Sequence, residues 1–230
     1  MPLTKNSLPF FPGWMIILYQ TISVRAEARI CWPSHIFYIL QAFCPADGIE
    51  RLRRKENEME FQIRKADYRD IPAIMQVMAE AQKAMEHPEL FCSDCEEYMK
   101  KHIETCGFTI VAEPISQSSL AGFFLVKFPG LAEENLGHLL GYTKEELKKT
   151  VHMDMAVVHP AYQGNRLQSR MLHKAEEVLA GSPVLRNRLL ATVHPDNRFS
   201  LNNMLNSGYE IVKTTRLYGG LPRHVLQKIL

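Results

Sequence analysis

The sequence predicts an α/β fold, a mixed α+β architecture with a central mixed sheet of about seven strands and about four flanking helices. Three observations carry this. Short apolar or alternating runs of strand length recur between segments with helical period. A helical segment separates the strand-like runs "VHMDMAVV" and "RLLATVH", the pattern of a right-handed parallel crossover. At 230 residues and 46% hydrophobic, the chain has material for a sizeable core, and it carries no internal repeat.

The elements follow in order. "FQIRKA" (61–66) alternates as a half-buried strand does. Asp70 is placed to cap a helix that tolerates Pro72 in its first turn. Ile71, Ile74, Met75, Met78 and Met85 give that helix one apolar face. Ser93 and Glu96 form a capping-box pattern for a second helix at about 94–105. "FTIVAE" (108–113) and "LAGFFLVKF" (120–128) read as strands joined by "PISQSS". A polar insertion, 129–150, contains a second capping box at Thr143 and Glu146. "VHMDMAVV" (151–158) is the next strand. In the helix predicted over 168–180, Leu167, Met171, Leu172, Ala175, Val178 and Leu179 share a face. The strand "RLLATVH" follows, then the helix "DNRFSLNNMLNS", stopped by Gly208. "YEIVKTTRLY" and "RHVLQKIL" close the chain as two strands, with Gly219 and Gly220 permitting a tight hairpin turn.

Residues 1–58 read differently. They hold both tryptophans, show no clear period and end in the charged run "ERLRRKENE". They form a poor secretory signal, having only Lys5 at the front and no small-residue cleavage site. The break at Met59 divides the chain into a poorly structured N-terminal extension (1–58) and a compact domain (59–230). "KENE" is encodable by purine-rich codons just upstream of Met59, so the expectation is that Met59 is the true start. A weak membrane attachment through residues 10–43 is the competing reading of this segment.

Charge and cysteine content exclude other classes. Over 59–230, Lys and Arg balance Asp and Glu at 20 against 20, so a basic nucleic-acid footprint is absent. Five scattered cysteines do not make a disulfide framework and suit a reducing cytoplasm. No apolar run reaches the roughly 18 residues of a membrane span.

The chemistry concentrates in "VVHPAYQGNRLQSRMLHKAEE" (157–177), a strand–loop–helix junction. A helix that starts inside a loop presents unpaired N–H groups and about half a positive charge at its N-terminus. That is a site for an anion, phosphate above all. Gly164 removes side-chain crowding there, and Arg166 and Arg170 add charge. An ordinary turn with solvated arginines is the alternative.

This junction resembles the acyl-CoA loop of the GCN5-related N-acetyltransferases, the GNAT superfamily, through Val158, Pro160 and Gln163. "DNRFSLNNMLNSGYE" resembles a second element of that family through Asn197, Ser200, Gly208 and Tyr209. The element order agrees, so the resemblance covers about 59–230. It implies an N-acetyltransferase that moves acetyl directly from acetyl-CoA to a primary amine, with no metal. It further implies that the strand containing Val157 and Val158 pairs with the pantetheine arm. The amides of Gln163, Gly164, Asn165, Arg166, Leu167 and Gln168 would hold the pyrophosphate, and Asn197 and Ser200 would steady the cofactor. Arg166 and Gln168 depart from the family, which prefers Gly and Gly/Ala there. Met204 stands where the family often has a tyrosine acid.

A base must take the proton of the acceptor ammonium. His152 and Asp154 lie two apart on a strand, on the face that Val158 shares by alternation, and both are candidates. Tyr218 and Tyr162 are candidate replacements for the missing acid. "CSDC" (92–95) with His102 and Cys106 is an irregular ligand set, read as ordinary thiols on a substrate-side helix rather than a zinc site. The insertion 129–150 is placed to wall the acceptor pocket. With no adapter domain visible, the expected partner is a small-molecule amine, with no nucleic acid or membrane, and the expected state a monomer or homodimer. The alternative is a non-catalytic module of the same fold that binds a CoA-type ligand or a partner chain.

Overall fold

The computed structural model of the chain describes residues 59–84, 96–117 and 119–230. The readings placed on residues 1–58, Met85, Cys92, Ser93 and Cys95 lie outside the described residues. The compact unit runs from Met59 to Leu230.

Seven strands form one sheet: β1 (Phe61–Lys65), β2 (Gly107–Pro114), β3 (Gly122–Lys127), β4 (Thr150–Val158), β5 (Arg188–Val193), β6 (Glu210–Leu217) and β7 (Leu221–Ile229). Their spatial order is β1-β2-β3-β4-β5-β7-β6. The β4–β5 pair is parallel and every other pair antiparallel. The described α-helices are α1 (Ile71–Lys83), α2 (Glu96–Glu104), α3 (Lys144–Lys148), α4 (Leu167–Ala180) and α5 (Arg198–Asn206). The sheet matches the expectation. The described residues hold five α-helices, one of them the short helix that the capping box at Thr143 and Glu146 starts.

Each face of the sheet has its own core. α4 packs Leu167, Met171, Leu172, Ala175 and Leu179 against β-strand residues including Ile110, Phe124, Met153 and Leu189. On the opposite face, α1 and α2 contribute Ile74, Val77, Met78, Met99 and Ile103 against Val111, Phe123, Leu125 and Val157. These periodic apolar stripes are what hold the helices in place.

Two local expectations change. Asp70 precedes α1 without capping it; its carboxylate accepts from both Nη atoms of Arg64, at 2.7 and 2.8 Å. Asp67 caps the 3-10 turn before it instead. The β6–β7 hairpin turns over three residues, Tyr218, Gly219 and Gly220, all with positive φ. A tyrosine therefore occupies a left-handed position that glycine takes more easily.

Candidate active site

β4 and β5 pair only at Thr150–Arg188, Val151–Leu189 and His152–Leu190. Beyond that the two strands part. The β5-facing edge of β4 from Met153 to Val158 has no strand partner, while β5 continues against β7 to Val193. An open backbone edge of this length offers donors and acceptors to an extended ligand, as an edge strand does.

At the end of that edge the chain turns through a 3-10 segment, Pro160–Tyr162, into the start of α4. The amide of Gln163 donates to Pro160 at 3.3 Å and closes this turn. The amides of Gly164, Asn165, Arg166, Leu167, Gln168 and Ser169 have no acceptor among the described residues; the first bond of α4 runs from Arg170 to the carbonyl of Arg166. Successive unpaired amides at a helix start form a nest for an anion. Gly164 has φ 85° and nothing lies near the place where its Cβ would be. Arg166 has φ 55° and ψ 26°, so it holds the left-handed conformation of a glycine while carrying a side chain. That conformation costs about 1 kcal/mol. Its guanidinium is exposed and makes no hydrogen bond or ion pair among the described residues. Arg170 is turned away instead, its Nη2 donating to the carbonyl of Phe61 at 3.3 Å.

The other departure, Gln168, leaves the nest clear. Its side chain lies across α5, donating to Ser200 Oγ at 3.3 Å and accepting from Asn203 Nδ2 at 2.9 Å. Asn197 is occupied as the cap of α5, its Oδ1 accepting from the Ser200 amide at 3.1 Å. Asn197 and Ser200 thus tie α5 together and to α4. Met204 is buried in the α4-side core.

The strand residues need a correction. The β3–β4 register shifts so that Leu125 pairs with Met155 and Val126 with Met153, leaving Asp154 as an extra, bulged residue. Alternation is thereby inverted. Val151, Met153, Ala156 and Val158 meet the α4-side core, whereas Met155 and Val157 meet the α1/α2 side. His152 and Asp154 therefore do not share Val158's face.

His152 and Asp154 also differ in state. His152 is buried, and its Nε2 accepts from the Leu136 amide of the insertion at 3.0 Å. Burial, with Lys127 nearby, pushes its pKa down to about 4, so the ring is neutral with its Nε2 lone pair engaged. Asp154 is solvent-exposed at the bulge, and the Tyr98 hydroxyl of α2 donates to its Oδ2 at 2.9 Å. Protein packed around the carboxyl raises its pKa, and Tyr98, Lys127 and His102 draw it back down. One side of the carboxyl meets water while the rest is packed against protein, which is why an exposed residue carries a desolvated carboxyl. Lys127 closes this cluster, paired with Glu134 at 3.4 Å and lying 5.9 Å from the centre of the Tyr98 ring. Tyr98 and Lys127 went unremarked in the sequence; the i,i+4 spacing of Tyr98 and His102 was the available signal.

Tyr218 stands across the opening. Its hydroxyl lies 3.3 Å from Thr192 Oγ1 of β5. Tyr162 is structural, its buried hydroxyl donating to Gln117 Oε1 at 2.7 Å. The insertion packs onto this side of the sheet, through Leu136 on His152 and the Tyr142 hydroxyl on Gln227 Oε1 at 2.9 Å. His102 is buried with Nδ1 on the Tyr98 carbonyl, and no metal-binding group of three ligands occurs among the described residues. No helix among them is long and apolar enough to cross a membrane.

Comparison with known proteins agrees with this geometry. The profile of the Acetyltransferase (GNAT) family matches residues 80–209, more than half of the chain. No curated protein matches it in sequence. Among solved structures, a GNAT-family acetyltransferase from Streptococcus pneumoniae superposes with TM-score 0.55 at 17% identity, over 74% of this chain and 100% of that one. Arabidopsis thaliana NAA60, solved with acetyl-CoA, gives 0.56 at 13%, over 74% and 100%. A ribosomal-protein-alanine N-acetyltransferase from Brucella melitensis gives 0.55 at 18%, over 74% and 99%.

Proposed function

The chain belongs to the Acetyltransferase (GNAT) family and is an acyltransferase, and from that premise we propose that it moves an acetyl group from acetyl-CoA directly to the primary amine of a small molecule. The observation that carries the reading is the parting of β4 from β5 beside a nest of unpaired amides. The donor set fits the group. The amides of Gly164 to Gln168 would hold the pyrophosphate, with Arg166 beside them. The free edge of β4 through Val157 and Val158 would pair with the amides of the pantetheine arm. Gln163 shapes the loop, and Asn197 and Ser200 fix α5 against α4. Acetyl-CoA supplies the acyl group as a thioester.

In this reading Asp154 is the base. An ammonium must lose a proton before it attacks, and a carboxylate with a raised pKa accepts it more readily than an ordinary one. His152 holds the insertion in place through Leu136 and takes no proton. The thiol product needs one proton, which Tyr218 or water provides. We place all of this in residues 59–230. Some structural neighbours, such as the ribosomal-protein-alanine N-acetyltransferase, are named as protein acetyltransferases; here the insertion closes onto the acceptor side through Leu136 and Tyr142, which favours a small acceptor over a long peptide.

The test is free-thiol release from acetyl-CoA across a panel of small amines and N-terminal peptides. Release with small amines is the expected result; release with peptides alone would remove the small-molecule reading. Binding is tested separately. Acetyl-CoA at a hundred times its dissociation constant should stabilise the fold by about 2.7 kcal/mol. No thermal shift with acetyl-CoA, CoA or longer acyl-CoAs would end the proposal.

A further inference from the structure

Resting on the acyl-transfer reading, we infer that the amine acceptor also carries a carboxylate, and that Arg223 of β7 binds it. Arg223 is buried at 9% exposure, yet no Asp or Glu among the described residues lies within ion-pair distance of it. Its one hydrogen bond, from Nη1 to the Pro222 carbonyl, is long at 3.4 Å. A guanidinium has five donors and keeps its charge, so a nine-tenths buried one without a counter-ion leaves donors for water or for an anionic ligand to complete. None of its nitrogens is both sealed from solvent and unpartnered, so the head opens into a solvent-reached space rather than into packed core.

Topology says which space. Leu226 belongs to the α4-side core, and β7 runs without an extra residue from Arg223 to Leu226, so Arg223 and Val225, an odd number of residues away, face the opposite side. That is the side of Asp154 and Tyr98. Leu189, Ala191 and Val193 fill the α4-side core, so Thr192 also faces the acceptor side. Tyr218 bridges the two, its hydroxyl on Thr192 and its ring 5.6 Å from the Arg223 guanidinium carbon. Arg223 and Asp154 therefore stand on opposite walls of the opening, and because β4 and β5 part between them their backbones lie farther apart than two paired strand spacings, that is more than ~10 Å. A carboxylate is the matching anion. Its single charge balances one arginine, and the fork of the guanidinium takes both oxygens. A phosphate brings nearly twice the charge, and Lys213, the next cation along this face, donates to the Leu139 carbonyl instead.

The test uses the full chain with acetyl-CoA and three matched pairs of acceptors. They are glycine with methylamine, γ-aminobutyrate with n-propylamine, and ε-aminohexanoate with n-pentylamine. At one chain length the amino acid should be preferred in kcat/KM by about tenfold to a hundredfold. Arg223→Gln should bring that ratio towards one, and Arg223→Lys should keep part of it. The ratio separates recognition from folding, because a merely structural arginine would lower both members of a pair together. No preference at any length, or a ratio unmoved by Arg223→Gln, overturns the inference. Calorimetric titration of the same amino acids into the CoA-loaded protein separates the two readings. Arg223-dependent binding without turnover would sink acyl transfer and keep the carboxylate site. Absence of such binding would sink the site itself.

Discussion

The Tyr98 hydroxyl donates to Oδ2 of Asp154 at 2.9 Å, joining helix α2 to the bulge of β4. The bond favours the charged carboxylate, against the desolvation that raises its pKa. Removing the hydroxyl leaves desolvation less opposed. In Tyr98→Phe the acid limb of the kcat/KM profile should therefore move to higher pH, while the plateau changes little. Asp154→Asn should lower kcat by about 10²–10⁴ and abolish the limb. The pH profiles of both variants check this; a limb that stays put in Tyr98→Phe would take Asp154 out of the role of base.

His152 makes the opposite prediction. Its folded pKa of about 4 lies below the ordinary value of 6.5. Between those values the unfolded chain binds more protons than the folded one. The stabilising effect is thus complete above pH 6.5 and is lost as pH falls towards 4, by up to about 3 kcal/mol. His152→Gln keeps an acceptor for the Leu136 amide and cannot titrate. It should flatten this acid-side loss in urea midpoints measured from pH 7 to 4, and leave the kcat/KM limb where it is.

Much of the fold was legible because its determinants are local. Capping residues such as Thr143, the stop at Gly208 and the stripe from Leu167 to Leu179 each act within a few residues. The junction at α4 was legible for the same reason, a helix starting inside a polar loop. The bulge at Asp154 was not. "VHMDMAVV" alternates without a break in one dimension, and only the pairing of Leu125 with Met155 reveals that the face changes. The contrast between His152 and Asp154 was hidden with it, since it depends on Leu136 reaching one and Tyr98 the other from distant segments. Gln168 shows the same limit. Its position next to the nest was visible, but its direction is set by Ser200 and Asn203 of α5.

A buried charge network predicts a large stability effect away from the site. Glu176 of α4 accepts from the Tyr209 hydroxyl at 3.0 Å and from Lys228 Nζ at 2.7 Å, and Lys228 also donates to the Ser207 carbonyl at 2.9 Å. These bonds fasten α4 and the end of α5 to β7. Lys228→Met strands a carboxylate that is 11% exposed, which should cost about 3 kcal/mol. Lys228→Met with Glu176→Leu should recover part of that loss. Chemical denaturation of the two single variants and the double variant gives the coupling; strictly additive losses would mean that the pair does not act as a unit.

Arg166 offers a test in which two effects carry opposite signs. Its left-handed conformation, φ 55° and ψ 26°, is one that glycine adopts without a Cβ clash. Arg166→Gly should relieve up to about 1 kcal/mol of strain, less the added freedom of glycine in the unfolded chain. The ligand-free Tm should then rise by up to about 3 °C. If the exposed guanidinium also sits against a phosphate of the coenzyme, the same variant should bind acetyl-CoA several-fold more weakly, and its ligand-induced thermal shift should shrink. A higher ligand-free Tm with a smaller shift is the outcome expected where both effects operate. A lower ligand-free Tm would show that Arg166 is held by something other than the strained loop, and an unchanged shift would remove the guanidinium from phosphate binding while leaving the amide nest to do it.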